Sequence, residues 1–341
     1  MRIALDAMGG DRGPELIIQG ALLALRESSD FDIVLLGPED FLEKYLADQG
    51  IESDLANRLQ IEHAPETISM DEAPVEAVRR KKNSTIMVGF DLVRNGQADA
   101  VVSAGNSGAT MAAAVRKLGR LKGISRPGIA SLFPTMKKPV MIMDIGANVD
   151  CRPKHLVQFA IMASSCISKI QNISNPRVGL LSIGEEASKG NALVKEAHDL
   201  LLTSNLNFIG NVEGRDVYQG DVDVIVCDGF VGNVSLKVSE GLAEAAMQML
   251  KSEIVKSFRA KLGYLLMRTA FASFRKRVDY AEYGGAPLLG INGTGIISHG
   301  KSNATAIKNA ILVARDMVRN KVKESIVDAI EVNPTVDIGQ A

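Results

Sequence analysis

Glycine-rich turns carry most of the residues in this chain that could do chemistry. The run Ala100-Val-Val-Ser-Ala-Gly-Asn-Ser-Gly-Ala-Thr110 reads as a strand, a turn of small residues and the start of a helix. Gly105 and Gly108 allow close backbone approach there, Asn106 or Ser107 can cap, and the open N–H groups of the first helical turn suit an anion such as phosphate. An ordinary N-cap with glycines for tight packing accounts for the same residues equally well. Asp6-Ala-Met-Gly-Gly-Asp-Arg-Gly-Pro14 is a second turn of this kind. Gly184-Glu-Glu-Ala-Ser-Lys-Gly-Asn191 places Lys189 at the start of a helix, where a fixed positive charge would suit an anionic substrate or a developing oxyanion. Asp144-Ile-Gly-Ala-Asn-Val-Asp150 supplies Asn148, and Cys227-Asp-Gly-Phe-Val-Gly-Asn233 supplies Asp228 and Asn233. An asparagine amide can donate to a carbonyl oxygen without titrating.

Gly295-Ile-Ile-Ser-His-Gly-Lys-Ser302 has the spacing of a Walker A loop. No later strand follows it to supply the acid that holds magnesium, so its context argues against nucleotide hydrolysis. Phosphate contact through Ser298, the Gly300 backbone or Lys301 stays open, with His299 beside them in the same glycine-rich loop. Nucleophile chemistry finds little support. There is no GxSxG elbow, and Cys227 sits in an apolar strand where a thiol is ordinarily inert. Cys151, Cys166 and Cys227 are widely spaced, with no CxxC and no paired histidines, so no zinc site or disulfide framework is expected.

Such turns need strands to hold them. Short β-branched runs at Ile3–Met8, Asp32–Gly37, Ala100–Gly105, Val140–Gly146, Val178–Gly184 and Val222–Gly229 predict strands, with helices from Pro14, Glu39, Asn106, Pro153, Asn191 and Asn233. Continuous apolar runs such as Val178-Gly-Leu-Leu-Ser-Ile predict a parallel sheet buried on both faces, hence a three-layer α/β/α sandwich. Ligands of such sheets gather beyond the C-terminal strand ends, where all of these turns would stand in one crevice. With 341 residues, 46% of them hydrophobic, and no linker or repeat, residues 1–341 are expected to form a single α/β domain.

The formal net charge is −1, so no global field favours nucleic acid. The N-terminus lacks the apolar core of a secretory signal, and charges interrupt every apolar stretch approaching a membrane span, which predicts an intracellular chain. One segment stands apart. Residues 251–277 hold eight basic side chains (Lys251, Lys256, Arg259, Lys261, Arg268, Arg275, Lys276, Arg277) and one acid, Glu253. Phe258, Leu262, Leu265 and Leu266 share one helical face, and Phe271 and Phe274 another, so a break near Gly263 or Arg268 would give two short amphipathic helices. A membrane-surface hairpin and a projecting dimerisation element both fit that pattern.

Taken together, the turns resemble the PlsX family of phosphate acyltransferases. The resemblance rests on Asp6-Ala-Met-Gly-Gly-Asp11, Met70-Asp-Glu-Ala-Pro74, Ser103-Ala-Gly-Asn-Ser-Gly-Ala109, Arg126-Pro-Gly-Ile-Ala130, Asp144-Ile-Gly-Ala-Asn148, Asn211-Val-Glu-Gly-Arg215, Asp228-Gly-Phe-Val-Gly-Asn233 and Tyr283-Gly-Gly-Ala-Pro-Leu-Leu-Gly290, in one order along the whole chain. It implies a fold similar to phosphate acetyltransferases and isocitrate/isopropylmalate dehydrogenases. It also implies transfer of a fatty acyl group from acyl-[acyl-carrier-protein] to inorganic phosphate, giving acyl phosphate for phospholipid synthesis. A cytoplasmic homodimer on the inner face of the membrane follows from it, handing product to a membrane glycerol-3-phosphate acyltransferase. The alternatives are a coenzyme A-dependent phosphate acetyltransferase and a non-catalytic scaffold that binds lipid or carrier protein.

The resemblance assigns roles. Phosphate must attack a thioester carbonyl, which asks for in-line positioning and neutralisation of the oxyanion, without metal or organic cofactor. Lys189 would sit on the phosphate or the oxyanion, and Asn233 would donate to the carbonyl oxygen or the phosphate. The turn Gly105–Gly108 would cradle phosphate. Phe258, Leu262, Leu265, Leu266, Phe271 and Phe274 would face lipid, with the basic side chains on anionic head groups. Arg79, Arg80, Lys81 and Lys82 would offer a docking patch for the acidic carrier protein, or a solvated helix face.

Overall fold

The computed structural model describes residues 1–278 and 284–333, excluding the side chains of 275–278. Tyr283 and the side chains of Arg275, Lys276 and Arg277, named above, lie outside the described residues. The strands are β1 Arg2–Asp6, β2 Asp32–Gly37, β3 Leu59–His63, β4 Ala100–Ser103, β5 Gly128–Phe133, β6 Val140–Met143, β7 Arg177–Leu181, β8 Asn207–Val212, β9 Val224–Val226, β10 Ala286–Leu289 and β11 Thr294–Ile297. The helices are α1 Pro14–Glu27, α2 Glu39–Asp48, α3 Ser53–Ala56, α4 Pro74–Arg80, α5 Thr85–Arg94, α6 Ser107–Leu118, α7 Pro153–Gln171, α8 Ala192–Leu202, α9 Gly229–Lys256, α10 Phe258–Leu266, α11 Arg268–Val278, α12 Ala304–Arg319 and α13 Val322–Glu331.

Successive residues of β1 explain the layering. Ile3 and Leu5 pack into one apolar cluster with α1, α7, α12 and α13, whereas Ala4 packs into the other with α5 and α6. Strand side chains alternate between faces, so an all-apolar strand demands helices on both. The outcome is a sandwich around one eleven-stranded sheet in the order β3-β2-β1-β4-β11-β10-β5-β6-β9-β7-β8. Helix α7 is its most enclosed helix, with every residue from His155 to Ile167 buried.

The sheet is mixed, which corrects the expectation of a parallel one. Strands β1 to β4 and β11 run parallel, but β10 is antiparallel to β11 and to β5, and β5 is antiparallel to β6. Strands β6, β9, β7 and β8 are again mutually parallel. Three antiparallel pairings therefore reverse the strand direction between the two parallel blocks, and their C-terminal edges face opposite ways along the ladder. The sequence hid this because β10 contains Pro287, a residue that argues against an interior strand, and β11 runs into the Walker-like motif.

That motif is taken apart by the fold. Gly295 is a strand residue paired with Leu288 and Val101, and the next helix starts only at Ala304, capped by Asn303. Lys301 thus precedes the helix instead of opening it, and no phosphate loop of the Walker kind exists here. Strands β3, β5, β8, β10 and β11 were not foreseen, and the predicted strands were drawn too long, since Gly105, Gly146, Gly184 and Gly229 lie beyond them. The helix expected from Asn233 starts at Gly229, with Asp228 as its cap. Lys251–Lys256 belong to that long helix, so the basic segment breaks at Ser257 and Met267 and its short helices are α10 and α11.

Candidate functional site

Four segments meet at the C-terminal end of the first parallel block. Asp6, buried at the end of β1, accepts from Met8 N at 3.2 Å and from Ser103 Oγ at 2.7 Å, and Ser103 Oγ accepts from Gly105 N at 3.1 Å. The carboxylate thereby ties the turn after β1 to the turn after β4. Gly9 permits the approach, since a Cβ on it would lie 2.8 Å from Gly105 N. Ser298 N donates to Ser103 O at 2.8 Å, and Asp11 N donates to Gly300 O at 2.8 Å, which brings in the loop after β11. Burial, partly offset by the Ser103 hydrogen bond, raises the Asp6 pKa above the ordinary carboxylate value.

The side chain of Asn106 is committed to the fold, so only its backbone N–H is left for an anion. Its Oδ1 caps α6 by accepting from Ala109 N at 3.0 Å, while Nδ2 donates to the carbonyls of Ser69, Met70 and Glu72 at 3.1–3.3 Å. It grips the Met70-Asp-Glu-Ala-Pro74 segment, and Gly108 packs so closely on Pro74 that a Cβ would meet its ring at 2.7 Å. Glu72 in turn holds Lys81 at 2.6 Å and the Ser69 backbone N–H at 2.8 Å, contacts that lower its pKa to about 2. Lys81 of the supposed docking patch is therefore paired within the chain. Gly105, Ser107, Ser298, His299 and Gly300 remain at the meeting point, with the first-turn N–H groups of Ser107 and Gly108 outside the helical ladder.

The second block builds its own turn around another buried acid. Asp144 Oδ1 accepts from Ile129 N at 3.0 Å, Gly146 N at 3.3 Å and Ala147 N at 3.1 Å, and Oδ2 from Asn148 N at 2.7 Å and Asn148 Nδ2 at 2.9 Å. Its pKa is raised by burial against the pull of these bonds. The other Asn148 hydrogen goes to Pro127 O at 2.8 Å, so the Asn148 amide is also spent on the fold. Asp228 caps α9 by accepting from Val231 N at 2.8 Å. Helix α9 enters so tightly that a Cβ on Gly232 would fall 1.9 Å from Asp144 O.

The first three turns of α9 join the two groups. Asn233 is exposed one turn inside the helix, and its side-chain atoms stand 3.6 Å from where a Cβ on Gly146 would be. One turn further on, Lys237 Nζ lies 3.4 Å from His299 Nε2 across the gap and 2.9 Å from Glu240. His299 Nδ1 accepts from Lys301 N at 3.0 Å. Desolvation, aided by the Lys237 charge, lowers the His299 pKa, so the imidazole is neutral at physiological pH. Lys189 lies on the loop between β7 and α8, three residues before the helix instead of at its start. It shares an edge with Asp228 and Asn233 because β7 and β9 are parallel neighbours. Its ammonium is exposed and has no ion-pair partner among the described residues.

The site thus contains the sequence-predicted Gly105, Ser107, Ser298, His299, Gly300 and Asn233, with Lys189 on the adjoining loop. Asp6, Asp144 and Lys237 were missed as site residues. An acid at each strand end followed by glycine two or three residues on, Asp6 with Gly9 and Asp144 with Gly146, was the signal for the first two. Lys237 gives none, because its partner lies 62 residues away.

Phosphate acyltransferase of Pelobacter propionicus is 53% identical over 98% of this chain and 95% of its own, and that of Geobacter sulfurreducens 52% over 100% and 97%. The chain belongs to the phosphate acyltransferase family. A family model described as fatty acid synthesis protein also matches residues 1–325. Among solved structures, a phosphotransacetylase from Streptococcus pyogenes superposes with a TM-score of 0.64 at 19% identity over 94% of each chain. The EutD phosphotransacetylase of Staphylococcus aureus does so at 0.61 and 17%, over 93% of this chain and 94% of its own. At those identities the likeness speaks for the fold. In this phosphate acyltransferase family member burial pushes the Cys151 thiol to about 11 and the Cys166 thiol to about 12, and holds Cys227 well above its usual value. None of the three is a thiolate at neutral pH.

Outside the site, α10 exposes Phe258, Leu262, Leu265 and Leu266, and α11 exposes Phe274, while Phe271 is half-buried with its ring 5.1 Å from Tyr264. Helix α9 exposes Val231, Val234, Val238, Leu242 and Met249 along one side. Among the described residues no helix is long and apolar enough to cross a membrane.

Proposed function

We propose that the chain transfers a fatty acyl group from an acyl-carrier-protein thioester to inorganic phosphate, forming acyl phosphate for phospholipid synthesis. Identity of 53% to a phosphate acyltransferase over 98% of the chain carries this proposal. A phosphate oxygen attacks the thioester carbonyl, a tetrahedral oxyanion forms, the C–S bond breaks and the carrier-protein thiolate takes up a proton. The turn Gly105–Gly108 and the loop Ser298–Gly300 hold phosphate through backbone N–H groups and hydroxyls. The Lys189 ammonium neutralises the phosphate or the oxyanion, and Asn233 Nδ2 donates to the carbonyl oxygen or the phosphate. Asn106, Asn148 and Asp228 act indirectly, by holding the turns.

Release of acyl phosphate from palmitoyl-carrier protein and phosphate by the purified chain, with a chelator present and no nucleotide, is the expected result. Consumption of acetyl-coenzyme A in preference to the carrier protein would instead make it a short-chain phosphate acetyltransferase, and absence of any acyl phosphate would leave a scaffold.

The apolar residues of α10 and α11, beside basic side chains, support peripheral attachment to the inner membrane face, where product would pass to a glycerol-3-phosphate acyltransferase. The α9 stripe supports pairing with a second copy. Flotation with vesicles containing anionic lipid is expected for the parent and lost in Phe258→Glu/Leu262→Glu. Flotation equal for both would remove the attachment, and a single-chain mass at sedimentation equilibrium would remove the dimer.

A further inference from the structure

The segment Asn211-Val-Glu-Gly-Arg-Asp216 lies at the end of β8 and contributes nothing to the site described above. We infer that it is the brace that positions Lys189, with Asn211 as its principal positioning residue. The inference rests on the role proposed for Lys189.

The loop from Ser182 to Asn191 is pinned at both ends. Ser182 N donates to Val212 O at 2.8 Å, and Asn191 caps α8 by accepting from Val194 N at 2.9 Å. Between these points the hub is the Glu186 carbonyl, which accepts from Lys189 N at 2.9 Å and from Asn211 Nδ2 at 2.9 Å. Asn211 is 5% exposed, and its Oδ1 has no hydrogen-bond partner among the described residues. The bond to Glu186 is thus the single tie its side chain makes. It also settles the amide orientation, because the flipped amide would set oxygen against oxygen. The turn it closes holds the lysine stem directly over Gly184, where a Cβ would stand 2.9 Å from Lys189 Cγ.

A second tie runs beside the first. Arg215 reaches Glu185 at 3.4 Å while being held by Glu213 at 3.2 Å, and Glu213 N donates to Asp216 Oδ2 at 2.8 Å. Arg215 and Glu185 are both about two-thirds exposed, at 66% and 65%, so this pair is screened and weak. The buried amide carries the brace, and the two ties predict unequal effects.

Asn211→Asp keeps the shape and removes the donor. It is expected to slow acyl phosphate formation by about 10- to 100-fold, the cost of misplacing a reacting group by about an ångström. Arg215→Ala is expected to cost less than about fivefold, with Arg215→Lys near the parent. In a Lys189→Ala background Asn211→Asp should slow the reaction no further than about twofold, since there is no ammonium left to misplace. Amide hydrogen exchange in Asn211→Asp should rise more at 184–190 than at the buried core of α7, which separates loosening of this loop from the general loss of stability caused by burying a carboxylate against the Glu186 carbonyl; if Asn211→Asp does not fold, Asn211→Ser serves instead.

Additive losses in the double variant would overturn the positioning role, and unchanged exchange at 184–190 would overturn the brace itself. A Lys189→Ala protein of normal rate would overturn the lysine's role and the positioning with it, while the exchange result still decides separately whether the brace exists.

Discussion

Lys189→Ala is expected to lower turnover by about two to three orders of magnitude, the usual cost of removing one preorganised group that meets charge developing in the transition state. The ammonium is exposed and unpaired by any acid among the described residues, so its charge is available to a bound anion. Thioester and phosphate bring together an electron-rich nucleophile and a carbonyl that becomes an oxyanion, and a fixed cation lowers that barrier more than the ground state. Steady-state kinetics with varied phosphate separate the two places the lysine could act. A fall in kcat at constant KM puts it on the oxyanion, and a rise in KM for phosphate puts it on the nucleophile. Asn233→Ala should cost a similar factor through the lost carbonyl donor, without altering the pH profile, because an amide does not titrate. Near-normal rates in either variant would remove that residue from the chemistry.

Asp144→Ala is expected to cost several kcal/mol of folding stability. Five N–H bonds converge on this one buried carboxylate, from Ile129, Gly146, Ala147 and twice from Asn148. Each buried donor left without an acceptor costs about 1–3 kcal/mol, against a total of about 5–15 kcal/mol for a whole domain. Even two unsatisfied donors would consume a large share of that margin. The turn they hold seats Gly229 and Gly232, hence the entry of α9 and the position of Asn233, so activity should fall together with stability. Urea unfolding of the variant should show a lower midpoint at unchanged slope. A shift worth under about 1 kcal/mol would mean that the turn re-pairs its donors elsewhere.

Several elements were legible because they answer to local physics. Pro14 and Pro153 open helices where proline lacks nothing it needs, and Asn106 and Asn191 cap the helices they were expected to start, their short side chains folding back on free N–H groups. The apolar runs of β1, β2, β4 and β7 announced burial on both faces. Strand β8 was invisible, since Asn207-Phe-Ile-Gly-Asn-Val212 mixes polar and apolar residues without alternation, and β10 was hidden by Pro287.

The residue types of the site were also legible, but their division of labour was not. Asn106, Asn148 and Asn233 look alike in the sequence, each polar and near glycine at the end of a strand. In the structure the first two spend both amide hydrogens on the fold and the third stands exposed beside Gly146. An asparagine's hydrogen bonds depend on which carbonyls other segments bring to it, and no local pattern encodes that.

By itself the sequence determined the layered α/β class, the caps at Asn106 and Asn191, the glycine turns and, through collinear motifs, the family. Hydrophobic periodicity and turn chemistry act over a few residues, so they can be read along the chain. Only the tertiary structure decided that β10 and β5 reverse the sheet, that α9 carries Asn233 and Lys237 across to the loop of His299, and that Asn211 reaches the loop of Lys189. Those contacts join segments dozens of residues apart, and they form only when burial of the whole core closes the chain upon itself.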